Sequence, residues 1–130
     1  MSNSNIPADL KYTKSHEWVR TLADGNVEVG ITDHAQGALG DLVFVEVPES
    51  GKTMKAGDAC AVVESVKAAS DVYAPIAGAV LEGNPALGSQ PELINSEPYG
   101  AGWIARMKPN GAPQGLLSAA EYQAHLAAEG

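Results

Sequence analysis

Ala59-Cys60-Ala61-Val62-Val63-Glu64-Ser65-Val66-Lys67-Ala68-Ala69-Ser70-Asp71-Val72-Tyr73-Ala74-Pro75 is the stretch that decides the fold of this chain. Its first five residues are an apolar, β-prone run. A second such run, residues 71–74, is stopped by Pro75. Two short strands with a tight connection predict a β-hairpin. The connection lacks the Asn-Gly or Asp-Gly pair that hairpins favour, so the flanks identify it and not the turn. Lys67 falls at the tip, beside the small residues Val66, Ala68 and Ala69. A lone lysine on a protruding turn, with no bulk or charge beside it, is open to an enzyme that modifies lysine. The competing reading is a solvated surface lysine.

Upstream of the hairpin, Leu42-Val43-Phe44-Val45-Glu46-Val47 is apolar on both faces until Glu46, the pattern of a strand in the middle of a sandwich or barrel core. Before it, residues 32–39 predict a short helix. Asp33 is expected to cap it, Gln36 to reach back as in a capping box, and Gly40 to end it. His34 lies at that helix start without a second His or Cys at metal spacing, which favours a structural role. Residues 15–20 alternate, with His16, Trp18 and Arg20 on one face and Glu17 and Val19 on the other. Asp24-Gly25 turns the chain into a return strand, residues 27–31. Leu10-Lys11-Tyr12-Thr13 predicts a short edge strand after a frayed lead-in over residues 1–9.

Downstream, residues 78–81 and 103–108 predict strands, and residues 84–91 a Gly/Pro-marked loop that Leu93-Ile94-Asn95 anchors. Gly40-Asp41-Leu42-Val43 and Gly78-Ala79-Val80-Leu81 each open a strand, a faint echo between two halves. The alanine-rich end predicts a helix over 116–128. Ser118 and Glu121 form a capping-box pattern, Leu117 staples onto Tyr122, and Tyr122 and Leu126 face the domain.

Composition narrows the function. At 130 residues the chain is expected to be one domain, and 14 glycines with 8 prolines favour short strands over long helices. Sixteen acidic against eight basic residues leave a net charge of −8, which argues against nucleic acid and anionic membranes as partners. The single cysteine, Cys60, forms no internal disulfide and reads as a small buried hydrophobe. No apolar run is long enough to span a bilayer. The start, MSNSNIPADL, has neither the apolar core of a signal peptide nor the look of a transit peptide, which predicts a cytoplasmic protein.

Residues 64–75, ESVKAASDVYAP, resemble the lipoyl-attachment segment of the glycine cleavage system H-protein family. Biotin carriers usually flank the modified lysine with methionines. Acyltransferase lipoyl domains usually put aspartate directly before it. Here that neighbour is Val66. Further stretches extend the likeness from about Leu10 to Lys108: Ser15-His16-Glu17-Trp18, residues 30–36 with Leu39-Gly40, Pro91-Glu92-Leu93-Ile94-Asn95, and Pro98-Tyr99-Gly100 with Gly102-Trp103.

The resemblance implies a mainly β, lipoyl-domain-like barrel-sandwich hybrid with a short internal helix and a C-terminal helix. It implies lipoate joined to Lys67 as an amide by a lipoate-attaching enzyme, with Glu64 read by that enzyme or merely keeping the hairpin soluble. It implies a carrier with no turnover of its own. Such a carrier takes the aminomethyl group of glycine from a pyridoxal-phosphate glycine decarboxylase to a tetrahydrofolate-dependent aminomethyltransferase, and a dihydrolipoyl dehydrogenase re-oxidises it. In this family the charged arm folds into a cleft that shields it from water. The matching cleft positions are Ser15, Glu17, Ile31 and Asp71, with turn or strand-end bonding as the plainer role for Ser15 and Asp71. The position two before Gly40, histidine in some members, is Ala38 here. Two other functions compete. One is a lipoyl relay that donates its group to other enzymes. The other is a structural or biotin-bearing module.

Overall fold

The computed structural model describes residues 6–110 and 115–129, so the first five residues of the expected lead-in lie outside the described residues. In chain order the described strands are β1 (Lys11–Tyr12), β2 (Glu17–Thr21), β3 (Val27–Ile31), β4 (Leu42–Glu46), β5 (Thr53–Met54), β6 (Ala59–Ser65), β7 (Ala69–Tyr73), β8 (Gly78–Gly83) and β9 (Ala105–Pro109). The helices are α1 (Asp33–Leu39), α2 (Leu93–Ser96) and α3 (Ala119–Glu129), with a 3-10 turn at Pro85–Gly88. The strands form two antiparallel sheets. One has the order β1-β2-β3-β9-β8-β5, and the other β4-β6-β7. The two echoing stretches thus open strands in different sheets, β4 and β8.

The main core lies between the sheets. Val29, Ile31, Val80 and Met107 of the larger sheet join one buried cluster with Leu42, Val45, Val63 and Val72 of the smaller. A second cluster sits on the far side of the larger sheet, where Tyr12, Trp18 and Tyr122 are completely enclosed with Leu10. This explains why β2 is buried on both faces. Glu17 and Val19 point to the inter-sheet side, and Trp18 points to the side covered by α3. Each large side chain so enclosed contributes about 1.5–3 kcal/mol. Opposite Trp18 stands Gly30, where a Cβ would come within 2.8 Å of the indole. The capping box and staple of α3 form as expected. Ser118 N–H donates to Glu121 Oε1 (2.8 Å), Glu121 N–H to Ser118 Oγ (3.2 Å), and Leu117 packs with Tyr122.

Two expectations need correction. The apolar run of residues 42–47 is not a mid-core strand, because β4 is an edge strand of the three-stranded sheet. A β-bulge between Leu42 and Phe44 turns both Val43 and Phe44 outward, while Leu42 and Val45 face the core. The cap of α1 is Thr32, not Asp33. Thr32 holds the extended backbone of a cap, and its Oγ1 accepts from Ala35 N–H (3.2 Å). Gln36 Nε2 donates instead to the Asp33 carboxylate (2.6 Å).

Candidate functional site

The lysine hairpin is tighter than the sequence implies. β6 runs on to Ser65 and β7 starts at Ala69, leaving Val66, Lys67 and Ala68 as the turn. Ser65 replaces the missing turn pair. Its N–H donates to Ala68 C=O (2.7 Å), and its Oγ accepts from the N–H groups of Lys67 (3.3 Å) and Ala68 (3.1 Å). A serine hydroxyl bonding the backbone two and three residues on stabilises a turn without positive-φ residues. Lys67 is exposed and Val66 is 75% exposed.

The turn rests on the end of α1. Val66 N–H donates to Asp41 C=O (3.3 Å). Gly40, at φ +85°, passes under the lysine stem, where a Cβ would lie 3.5 Å from Lys67 Cε. Asn95 fixes this floor. Its Nδ2 donates to Gly40 C=O (2.8 Å) and Gln36 Oε1 (2.9 Å), and its Oδ1 accepts from Leu42 N–H (2.9 Å). The sequence marked Asn95 only as part of a loop anchor, since nothing in the string shows that α2 meets α1.

Beside that floor opens a cavity of about 180 Å³. Ser15, Glu17, Ile31 and Asp71 all line it, so the four residues expected in a cleft converge on one. Ala38 and Leu39, just before Gly40, line it too, so the segment that passes under the lysine stem also forms one wall of the cleft. Glu17 is only 2% exposed. Its Oε1 accepts from Thr13 Oγ1 (2.6 Å) and Ser15 Oγ (2.5 Å), and its Oε2 from Tyr73 N–H (3.3 Å). Burial pushes this carboxyl above its ordinary range, and the Ser15, Thr13 and Tyr73 hydrogen bonds pull it partly back. Ser15 therefore bonds a side chain rather than backbone. Thr13 was missed, although its spacing of two from Ser15 and four from Glu17 was a signal. A buried carboxylate and the exposed Asp71 carboxylate among aliphatic walls suit a small cationic group.

Two neighbourhoods lie apart from this cleft. Glu64 faces outward on β6, between Phe44 on β4 and Ala69 on β7. A larger cavity of about 390 Å³ opens at the opposite end of β6, beside Cys60. Cys60 and Ser65 are five strand steps apart, roughly 16 Å. Burial, aided by the Glu17 charge, pushes the Cys60 thiol up to about 12, so it is no nucleophile.

His16, at φ +73°, lines the cleft and bonds through Nδ1 to Tyr122 Oη (2.8 Å), which also bonds Thr32 Oγ1 (2.7 Å). The C-terminal helix is thereby tied to the cap of α1, whose residues wall the cleft. The His34 and His125 rings approach His16 at 4.8 and 6.0 Å. The fold thus gathers histidines far apart in sequence, but among the described residues no group of three His, Cys, Asp or Glu is placed to hold a metal. No described helix is long and apolar enough to cross a membrane.

Known proteins share this arrangement along nearly the whole chain. Residues 10–129 match the family model described as "Glycine cleavage H-protein". A glycine cleavage system H protein of Halorhodospira halophila is 62% identical over 129 residues, spanning 98% of this chain and 99% of that one. One from Escherichia coli O7:K1 is 58% identical over 125 residues, 95% of this chain and 97% of its own. The crystal structure of a glycine cleavage system H protein from Mycobacterium marinum superposes with a TM-score of 0.87 at 46% identity, covering 94% of this chain and 99% of that one. The two-sheet architecture with its lysine hairpin therefore has a known lineage: this chain belongs to the glycine cleavage H-protein family.

Proposed function

We propose that Lys67 carries lipoate as an amide and that the chain, acting as one unit, shuttles the aminomethyl group of glycine in the cytoplasm. It takes that group from a pyridoxal-phosphate glycine decarboxylase to a tetrahydrofolate-dependent aminomethyltransferase, with dihydrolipoyl dehydrogenase completing the cycle. The chain itself is a carrier component and not an enzyme. The observation that carries this reading is Lys67 on an exposed three-residue turn above Gly40, the residue after the Ala38 and Leu39 that line a cleft holding Glu17 and Asp71.

The residues present fit the group. When bound, lipoate supplies a cyclic disulfide that takes up the aminomethyl carbon with two electrons. An exposed Nζ leaves room for acylation, and the Gly40 floor leaves space under the stem. Glu17 and Asp71 offer carboxylates to the ammonium end of the cargo, and Ile31 and Leu39 exclude water around it. Ser15 and Thr13 orient the Glu17 carboxylate.

Intact-mass measurement after treatment with a lipoate ligase tests the proposal. A single lipoyl increment on wild type, absent from Lys67→Arg, is expected. An increment that survives Lys67→Arg, or a biotin increment in its place, overturns it. Glycine-dependent CO₂ exchange with purified glycine decarboxylase then tests the carrier role.

A further inference from the structure

Val43 is 55% and Phe44 49% exposed, although both belong to an apolar strand. Single exposed hydrophobes are ordinary, but these two lie on the strand that pairs with β6 just before the turn carrying the exposed Val66. Phe44 pairs with Glu64, whose neighbour Ser65 builds the lysine turn. The Val66 N–H bond to Asp41 C=O draws the turn onto the start of β4. Val43, Phe44 and Val66 thus form an uncovered apolar corner around the root of Lys67. An edge strand with an apolar outer face is a liability unless something covers it.

The surrounding charge indicates what covers it. Asp41, Glu46 and Glu64 border the corner, and the strands β4, β6 and β7 carry no Lys or Arg. Lys67 is the cation of the turn itself, and acylation removes its charge, while Lys52 shares a cavity with Glu46 farther along the strand. An enzyme that acylates Nζ must bring that atom into its own active site, so its surface meets the residues at the lysine root. Enzymes that act on the far end of a long arm need no contact there. We propose that Val43, Phe44 and Val66, within their acidic border, are the docking face for the enzyme that attaches lipoate, which meets them with an apolar socket rimmed by Arg or Lys. This rests on the reading of Lys67 as the lipoyl site.

The test measures lipoylation kinetics of the unlipoylated full chain by intact mass, with a purified lipoate–protein ligase, lipoate and ATP. Phe44→Ser is expected to raise KM for the carrier about tenfold with kcat little changed, the effect of losing contact with a half-exposed phenyl ring. Glu46→Lys is expected to raise KM and flatten its salt dependence. Leu81→Ser, exposed on β8 in the other sheet, is expected to leave both constants unchanged. Circular dichroism checks folding. If Phe44→Ser fails to fold, the exposed Glu46→Lys decides alone. Unchanged KM in the folded variants overturns the docking face and leaves the lipoyl reading intact. No lipoyl increment on wild type sinks that reading, and the docking face with it. A KM that rises only for glycine decarboxylase acting on lipoylated variants, or a self-association that Phe44→Ser abolishes, assigns the corner to another occupant and overturns the proposal.

Discussion

Tyr122→Phe isolates the tie between the C-terminal helix and the cleft. The hydroxyl it removes bonds His16 Nδ1 at 2.8 Å and Thr32 Oγ1 at 2.7 Å, inside a region where Thr32 and Tyr122 are fully buried. The ring itself remains, stacked on Tyr12 with centroids 4.7 Å apart. Thr32 also keeps its bond from Ala35 N–H, so the helix cap survives. Removing the hydroxyl takes away these two hydrogen bonds, worth about 1–3 kcal/mol together. For 130 residues, each kcal/mol moves Tm by about 4 °C, so a drop of roughly 4–12 °C is expected. Thermal denaturation followed by circular dichroism reads this directly. Hydrogen exchange should localise it, with faster exchange in α3 and at residues 32–35 and little change in the β8–β9 ladder. Tyr122→Ala, which also removes the stacked ring, should cost about 3–5 kcal/mol. A Tyr122→Phe protein melting within about 1 °C of wild type, with α3 equally protected, would refute the tie.

Three further outcomes follow from the same geometry. Burial raises the folded-state pKa of Glu17 above its unfolded value near 4.3, so the folded state holds a proton that the unfolded chain has released. Its contribution is then largest below about pH 4.3 and is lost as pH rises through the folded pKa, so Glu17→Gln should gain stability relative to wild type across that window in urea titrations. The opposite slope would contradict the burial argument. Cys60, buried and pushed up to about 12, should react slowly with a thiol reagent at pH 8 in the folded protein and at once in urea; fast reaction in the native state would show the β6 strand to be open. Gly30→Ala should destabilise by about 1–3 kcal/mol by overpacking against the Trp18 indole. It should also move the Trp18 indole N–H resonance, whose donor bonds Pro98 C=O at 2.9 Å, and an unmoved resonance would place the indole elsewhere.

Where one residue's neighbours are its sequence neighbours, the string was sufficient. The lysine hairpin, the Asp24-Gly25 turn and the capping box at Ser118 and Glu121 are local events, and each appears where its chemistry demanded. The misreadings come from the reverse condition. A run apolar on both faces looks alike whether it is sandwiched or lies at an edge with a bulge, so β4 was misplaced. Thr32 and Asp33 both carry cap chemistry, and only the backbone turn at Thr32 chose between them. The convergence of Ser15, Glu17, Ile31 and Asp71 was expected from the family likeness alone, because the contact of β7 with the start of β2 leaves no local trace. Asn95 and Tyr122 were placed as a loop anchor and a helix face, but the hydrogen bonds by which they bridge segments more than fifty residues apart left no signal in the string.

Four departures from good local rules lie at the lysine hairpin, the strand beside it and the cleft. Glu17 buries a carboxylate that burial disfavours. His16 holds φ +73°, a left-handed conformation uncommon for a residue with a side chain. Val43 and Phe44 stand in water on an edge strand, and the hairpin turn does without the residues that make such turns easy. A stable scaffold gains nothing from four such departures in one neighbourhood, and strain or mismatch concentrates where function needs it. Each departure also does something that compliance would forbid. The carboxyl places an acidic group inside an aliphatic cleft, and the strained histidine brings its ring to the Tyr122 tie. The bare strand leaves an apolar face exposed next to the lysine hairpin, and the serine-built turn keeps the lysine's immediate neighbours small.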